Sequence, residues 1–250
     1  MIARLLLGLC LLAGPAMALD CARLDHDGTP YTICTVDMGR DDLRLFLNGP
    51  DGAPYGSFSA IDSALAQTGN RLAFAMNGGM YHPDRRPVGH YVEDGVELMR
   101  VVPNAGPGNF GLLPNGVLCI GDGSARVIET TAYIARRPAC RDASQSGPML
   151  VIGGALHPRF LPDSTSRHVR NGVGTSADGR RAVFAISDAP VSFHAFARLF
   201  RDRLDLPDAL YLDGSVSRLY APALGRHDAG FAMGPVVGVV EPAGGDGAAR

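Results

Sequence analysis

Asp-Gly and Asn-Gly pairs set between short apolar runs constrain this chain more than any other feature, because they point to antiparallel sheet. Asp94-Gly95 lies between residues 89–93 and 96–99, Pro114-Asn115-Gly116 between 110–113 and 117–120, and Asp178-Gly179 between 169–175 and 181–186. Such pairs supply the left-handed backbone of a tight hairpin turn, and the flanking runs are rich in β-formers. Two earlier runs, 31–38 and 43–47, stand around the polar turn Arg40-Asp41-Asp42. Residues 72–76 are apolar throughout, as in a strand buried on both faces, and 149–152 continues a strand out of Ser146-Gly147-Pro148. Helical spacing is found in two places. Phe58, Ile61 and Leu65 share a face of 58–67, which Gly69-Asn70 stops. Ser192 caps a second helix with Phe193, Phe196, Ala197, Phe200 and Leu204 on one face, ended by Pro207. The expectation is an α+β fold, mostly antiparallel sheet with a few packed helices, in a single domain. The 32 glycines agree with a fold of many turns.

The amino terminus is different in kind. Arg4, an apolar run over 5–12 and then Ala16-Met17-Ala18 follow the order of a secretory signal peptide cleaved after Ala18. The run is too short for a stable bilayer anchor. Residues 1–18 are read as that signal, 19–250 as the working domain with its core at about 33–240, and the protein as periplasmic or secreted. Four cysteines remain: Cys21, Cys34, Cys119 and Cys140. An oxidising compartment makes them disulfides, and of the three possible pairings sequence proximity favours Cys21–Cys34 and Cys119–Cys140. The formal net charge of −2 implies no broad attraction to nucleic acid or an anionic membrane. No later segment is apolar enough to span a bilayer.

Two strand ends carry candidate chemistry: Met76-Asn77-Gly78-Gly79-Met80-Tyr81 and Tyr211-Leu212-Asp213-Gly214-Ser215. Glycine lets backbone N–H groups approach a ligand, and successive N–H groups form anion-binding nests. Asp213 has the chemistry of an acid, base or nucleophile, although Asp-Gly is also an ordinary turn pair. Arg170, within Arg167-His168-Val169-Arg170-Asn171-Gly172, offers a two-pronged donor for phosphate or simply opens a strand. Gly147 reads as a turn residue with an available N–H. His194, in the first turn of the second helix, is a general acid–base candidate or a surface residue. There is no GxSxG, HExxH, P-loop or GxGxxG motif. His82 and His90 do not have a standard metal spacing, and no cofactor is called for, with a divalent metal left open.

Taken in chain order, Asn77-Gly78-Gly79-Met80-Tyr81, Pro87-Val88-Gly89, Ser146-Gly147-Pro148-Met149-Leu150, Arg170-Asn171-Gly172-Val173-Gly174 and Leu212-Asp213-Gly214-Ser215 resemble the phosphodiester glycosidase family. This is the domain of the lysosomal uncapping enzyme, and bacteria carry secreted relatives. The resemblance covers roughly residues 33–240. It implies an exported hydrolase that cleaves a sugar-1-phosphodiester in envelope or extracellular glycans, releasing the sugar and leaving a phosphomonoester. Asp213 then stands at the anomeric carbon, as nucleophile or base. Asn77 and Arg170 complete the catalytic set. Gly78, Gly79, Tyr81, Gly147, His194, Gly214 and Ser215 are the expected substrate contacts, with Arg170 and the Gly78 and Gly147 N–H groups on the phosphate. Asp188 is a candidate second carboxylate. The sequence departs from the family where Ser215-Val216-Ser217 stand in place of Gly-Gly-Ser. The alternatives are a non-catalytic periplasmic binding protein for phosphorylated glycans or glycolipids, and a structural envelope protein without a convergent polar pocket.

Overall fold

The computed structural model describes residues 19–244, so the expected signal peptide lies outside the described residues. In chain order the elements are β1 (Asp20–His26), β2 (Thr29–Asp37), β3 (Asp42–Phe46), α1 (Phe58–Ala66), β4 (Asn70–Asn77), β5 (Tyr91–Glu93), β6 (Val96–Met99), β7 (Gly116–Gly121), β8 (Ser124–Glu129) and α2 (Thr130–Arg136). There follow β9 (Asp142–Ser146), β10 (Met149–Ile152), β11 (Ala155–Leu156), β12 (Asn171–Thr175), β13 (Arg181–Ser187), α3 (Phe193–Arg198), β14 (Asp208–Tyr211), β15 (Leu219–Ala221), β16 (Arg226–His227) and β17 (Val236–Pro242). They form a seven-stranded sheet ordered β1-β2-β13-β12-β14-β10-β11, a five-stranded sheet β16-β15-β4-β17-β3, and a five-stranded sheet β6-β5-β9-β7-β8. Neighbouring strands pair antiparallel, as the hairpin turns require.

Strand alternation explains the layering. In β13, Ala182, Phe184 and Ile186 enter one cluster while Val183 and Ala185 enter another. In β7, Leu118 and Ile120 face the first cluster while Val117 and Cys119 face away. The first cluster also takes Phe74 and Met76 from β4 and Val237 and Val239 from β17, so all three sheets share one core. A helix covers the outer face of each sheet. Phe196 and Phe200 lie over the first, Phe58 and Ile61 of α1 over the second, and Tyr133 of α2 over the third. Burial on both faces is why these strands read as unbroken apolar runs. Each fully buried Leu or Phe contributes about 1.5–3 kcal/mol.

Several expectations are refined. The runs at 31–38 and 43–47 do form strands, but β2 joins the first sheet and β3 the second, so the turn between them links sheets. Residues 110–113 are a turn rather than a strand. Both edges of β7 are taken by β8 and β9, and Asn115 Nδ2 donates to the Phe110 carbonyl at 3.0 Å, folding that segment on itself. The helix capped by Ser192 is α-helical only to Arg198 and continues as a π-helix over Leu199–Arg203. β1 was not visible in the sequence pattern, since its side chains are mostly polar and its burial comes from pairing with β2.

The disulfides follow the proximity pairing. Cys21 and Cys34 face each other across β1 and β2 with Cα atoms 4.0 Å apart. Cys119 of β7 bonds Cys140, just before β9, at a Cα separation of 5.4 Å. At a sequence separation of 21, replacing Cys119 and Cys140 by Ala is expected to lower unfolding stability by about 3 kcal/mol in the chain-entropy account. Denaturant unfolding, paired with a non-reduced peptide map, checks this.

Glu93 sits where β5 approaches β3. It accepts from the Tyr91 hydroxyl at 2.9 Å and from the Leu47 N–H. Burial, reinforced by nearby Asp142, raises its carboxyl from 4.5 to about 7. A carboxyl that gains protons on folding stabilises only while protonated. Its contribution is therefore full below 4.5 and lost as pH rises through about 7. Glu93→Gln is expected to flatten the stability–pH curve across that window, measured by urea unfolding at pH 4.5 to 8.

Candidate active site

Polar residues at the ends of buried strands from all three sheets meet at one place. Asn77 ends β4, Asn171 opens β12, Ser146 ends β9, and Leu212-Asp213 follows β14. The Asn77 side chain donates to the Asp213 carbonyl at 2.9 Å. Its Oδ1 accepts from Asn171 Nδ2 at 2.6 Å and from the Arg218 N–H at 2.9 Å. The Leu212 N–H donates to the Asn171 carbonyl at 3.1 Å, and Ser146 Oγ donates to the Leu212 carbonyl at 3.3 Å. Three of the five motifs quoted from the sequence thus clamp the backbone of the last, Leu212-Asp213.

That frame holds Asp213, 9 % exposed, in the wall of a cleft of about 640 Å³. Tyr81, His82, Arg85, Phe110 and Val216 line the cleft with it. The Arg85 guanidinium lies 5.4 Å from the Tyr81 ring centroid. The Tyr81 hydroxyl is raised above its ordinary range, first by burial and then by Asp213, against the pull of Arg85 and Arg218. Among the described residues lining the cleft, Asp213 is the carboxylate.

The expected glycine contacts have packing reasons. A Cβ on Gly214 would lie 1.5 Å from the Tyr211 hydroxyl, which itself accepts from the Gly214 N–H. On Gly79 a Cβ would lie 2.6 Å from Ser144 Oγ, and on Gly147 2.7 Å from Asn115 Cβ. The Gly78 N–H, expected on a phosphate, donates to the Pro235 carbonyl at 2.7 Å. These glycines let the clamp close tightly.

Arg170, expected to face a phosphate, is 1 % exposed. Its guanidinium covers the Phe193 ring at 3.5 Å, donates from Nε to the Val191 carbonyl at 2.9 Å and bonds the Tyr211 hydroxyl. It is connected to the Asp213 turn through Tyr211 and Gly214 and does not line the cleft. His194 is half-buried on α3 and is likewise absent from the lining. Ser215 lies in the Gly214–Val216 turn. Asp188 pairs with Arg226 and Thr32 at another cleft. His82 lines the Asp213 cleft, whereas His90 is buried against the Met99 carbonyl and the Tyr133 hydroxyl, so the two do not share a site.

Sequence reasoning left out Ser146, Asn171 and Tyr211, although each lies in or beside a quoted motif. A polar residue at the end of a buried strand was the available signal. Arg85 and Phe110 had no local signal, because loops bring them to the cleft.

A model of the phosphodiester glycosidase family matches residues 70–237, the span that contains the whole clamp. YigE, an uncharacterized protein of Escherichia coli (strain K12), is 31 % identical over 217 residues, covering 87 % of this chain and 84 % of that protein. The catalytic domain of zebrafish N-acetylglucosamine-1-phosphodiester alpha-N-acetylglucosaminidase, solved auto-inhibited by its pro-peptide, superposes with a TM-score of 0.61. It is 14 % identical, over 90 % of this chain and 84 % of that one. A hypothetical protein from Synechocystis superposes at 0.58 with 13 % identity, over 89 % of this chain and 61 % of that one. The two superpositions establish a common fold.

The clamp makes a stability prediction independent of any activity. Asn77→Ala leaves the Asp213 carbonyl and the Arg218 N–H buried without their partner, and is expected to cost roughly 3 kcal/mol in denaturant unfolding. Asn77→Asp is expected to fail as well, since a carboxylate cannot donate to the Asp213 carbonyl.

Proposed function

Because this chain belongs to the phosphodiester glycosidase family, we propose that it hydrolyses a sugar-1-phosphodiester in the cleft that Asp213 faces. The observation that carries this reading is the clamp: Asn77, Ser146 and Asn171 all hold the Leu212-Asp213 backbone, placing one carboxylate on a rigid frame in a cleft with cationic and aromatic walls. In the reaction the bond from the anomeric carbon to the phosphate oxygen breaks, and its electron pair stays with the phosphate. Water supplies hydroxyl to the anomeric carbon and loses a proton. The phosphate departs as a stable anion, so no acid is needed to protonate it, which fits a cleft with a single carboxylate. Asp213 stabilises the positive charge developing on the sugar ring and acts as nucleophile or as base toward the water. Arg85 and His82 face the phosphate, and Tyr81 and Phe110 offer flat walls to the sugar. Arg170 and Tyr211 act as positioning residues behind Asp213.

The work is placed in the periplasm or outside the cell. The support is the signal-like order of the first residues and the two disulfides. No described helix is long and apolar enough to cross a membrane. A binding protein without turnover is the second reading, favoured by Val216, which lines the cleft where the family pattern has glycine.

Asp213→Asn separates the readings. Asn keeps the size and the turn-forming capacity but provides no anion. Turnover of a panel of methyl sugar-1-phosphodiesters is expected to fall by about three orders of magnitude or more with the melting temperature kept. Retained turnover would remove Asp213 from the mechanism. Binding of the panel without turnover by the native protein would favour the second reading.

A further inference from the structure

A second cleft adjoins the one that Asp213 faces, and a third adjoins the second. The second, of about 650 Å³, is lined by His168, Gly214, Ser217, Arg218 and His227. It meets the first across Val216, which lines both. The third, of about 490 Å³, is lined by Arg23, Thr32 and Asp188 and shares His227 and Asp228 with the second. The Gly214–Val216 turn is therefore a wall between two compartments of one groove.

The compartments differ in chemistry. Met80, Tyr81, Val88 and Phe110 give the first its apolar faces, suited to a sugar ring. The second presents imidazole, hydroxyl and guanidinium groups, suited to hydroxyls and phosphates and unsuited to an alkyl chain, while the third sets Arg23 and Thr32 beside the carboxylates of Asp188 and Asp228 and the apolar Pro30 and Leu224. Arg226 is paired with both Asp188 and Asp228, which leaves one carboxylate charge in excess there. Arg218 and Arg23 add a guanidinium to the second and third compartments respectively.

An exposed aromatic marks the rim. Phe231 is 89 % exposed. Its carbonyl accepts from Arg218 Nη1 at 2.5 Å, and Ala229, two residues earlier, lines the second compartment. A large apolar ring held in water beside a polar groove is a platform for the flat face of a sugar.

We propose that the substrate is a chain: a phosphodiester-linked oligomer of sugar or polyol units. Its reacting sugar sits against Asp213 and its following units lie along the second and third compartments. A small alcohol on the phosphate leaves both of those compartments unused. The position of the reacting end rests on the glycosidase reading, whereas the groove itself rests on the lining residues.

The test is a length series on hexose and N-acetylhexosamine 1-phosphates: the methyl ester, the diester to one further unit, and a four-unit phosphodiester-linked oligomer. kcat/KM is expected to rise at least about tenfold from methyl ester to oligomer, and His227→Ala and Arg23→Ala each to pull that ratio toward one. A flat series in the native protein overturns the proposal, as does a long-chain alkyl ester that outperforms the oligomer. If none of the compounds turns over, the glycosidase reading falls by itself and calorimetric binding of the same compounds decides the groove. Oligomer affinity at least about tenfold above that of the methyl ester upholds it, and equal affinity overturns it.

Discussion

The Asn77 amide joins the end of β4 to the turn after β14, and the arrangement of the cleft follows from satisfying it. An amide at 1 % exposure has to find its partners inside the protein, since an unmet buried polar group costs about 1–3 kcal/mol. Its partners are the Asp213 carbonyl, the Asn171 side chain and the Arg218 N–H. Meeting all three at once fixes the second sheet against the first. It also requires close backbone approach, which explains the glycines around it. Gly78 donates to the Pro235 carbonyl, Gly79 has Ser144 where a side chain would stand, and Gly214 gives its space to the Tyr211 hydroxyl.

Behind that clamp lies a second layer of support. Phe160 stacks on Phe193 at 5.1 Å, Phe193 carries the Arg170 guanidinium, and Arg170 bonds the Tyr211 hydroxyl that braces Gly214. A guanidinium buried this deeply is held by carbonyls, an aromatic face and a phenol. Desolvation lowers its proton affinity, and Tyr211 counters that. An arginine with the chemistry to bind an anion here bonds Tyr211, which in turn accepts from the Gly214 N–H beside Asp213. Rigid sheet supplies Asp213, while loops supply Tyr81, Arg85 and Phe110. The position of the Asp213 carboxylate is thereby set by different elements from those that line the rest of the cleft.

Much of this was legible in the residues. The turn pairs announced antiparallel hairpins, and the unbroken run at 72–76 announced a strand buried on both faces, as β4 is between the shared core and α1. Asn77 and Asp213 stood out as polar residues delivered by apolar strands, and both lie in the clamp. The misreadings were of context. Residues 110–113 have the composition of a strand, yet β7 had no edge left to offer them. Arg170 has the chemistry to bind phosphate, yet Phe193 and Tyr211 surround it.

The division has a physical basis. Period-two alternation, the left-handed turns and the near-neighbour cysteine pairs are local, acting over a few to about twenty residues, so the sequence alone determined the sheet-rich class, the disulfide pairing and the strand that carries Asp213. The contacts that make a site are long-range. Asn77 reaches Asn171 across 94 residues and Asp213 across 136. Which donors meet which carbonyls, which arginine is buried and which faces the cleft, and how the compartments adjoin across Val216 depend on how three sheets close around one core. No local pattern encodes that closure, and the tertiary structure decided it.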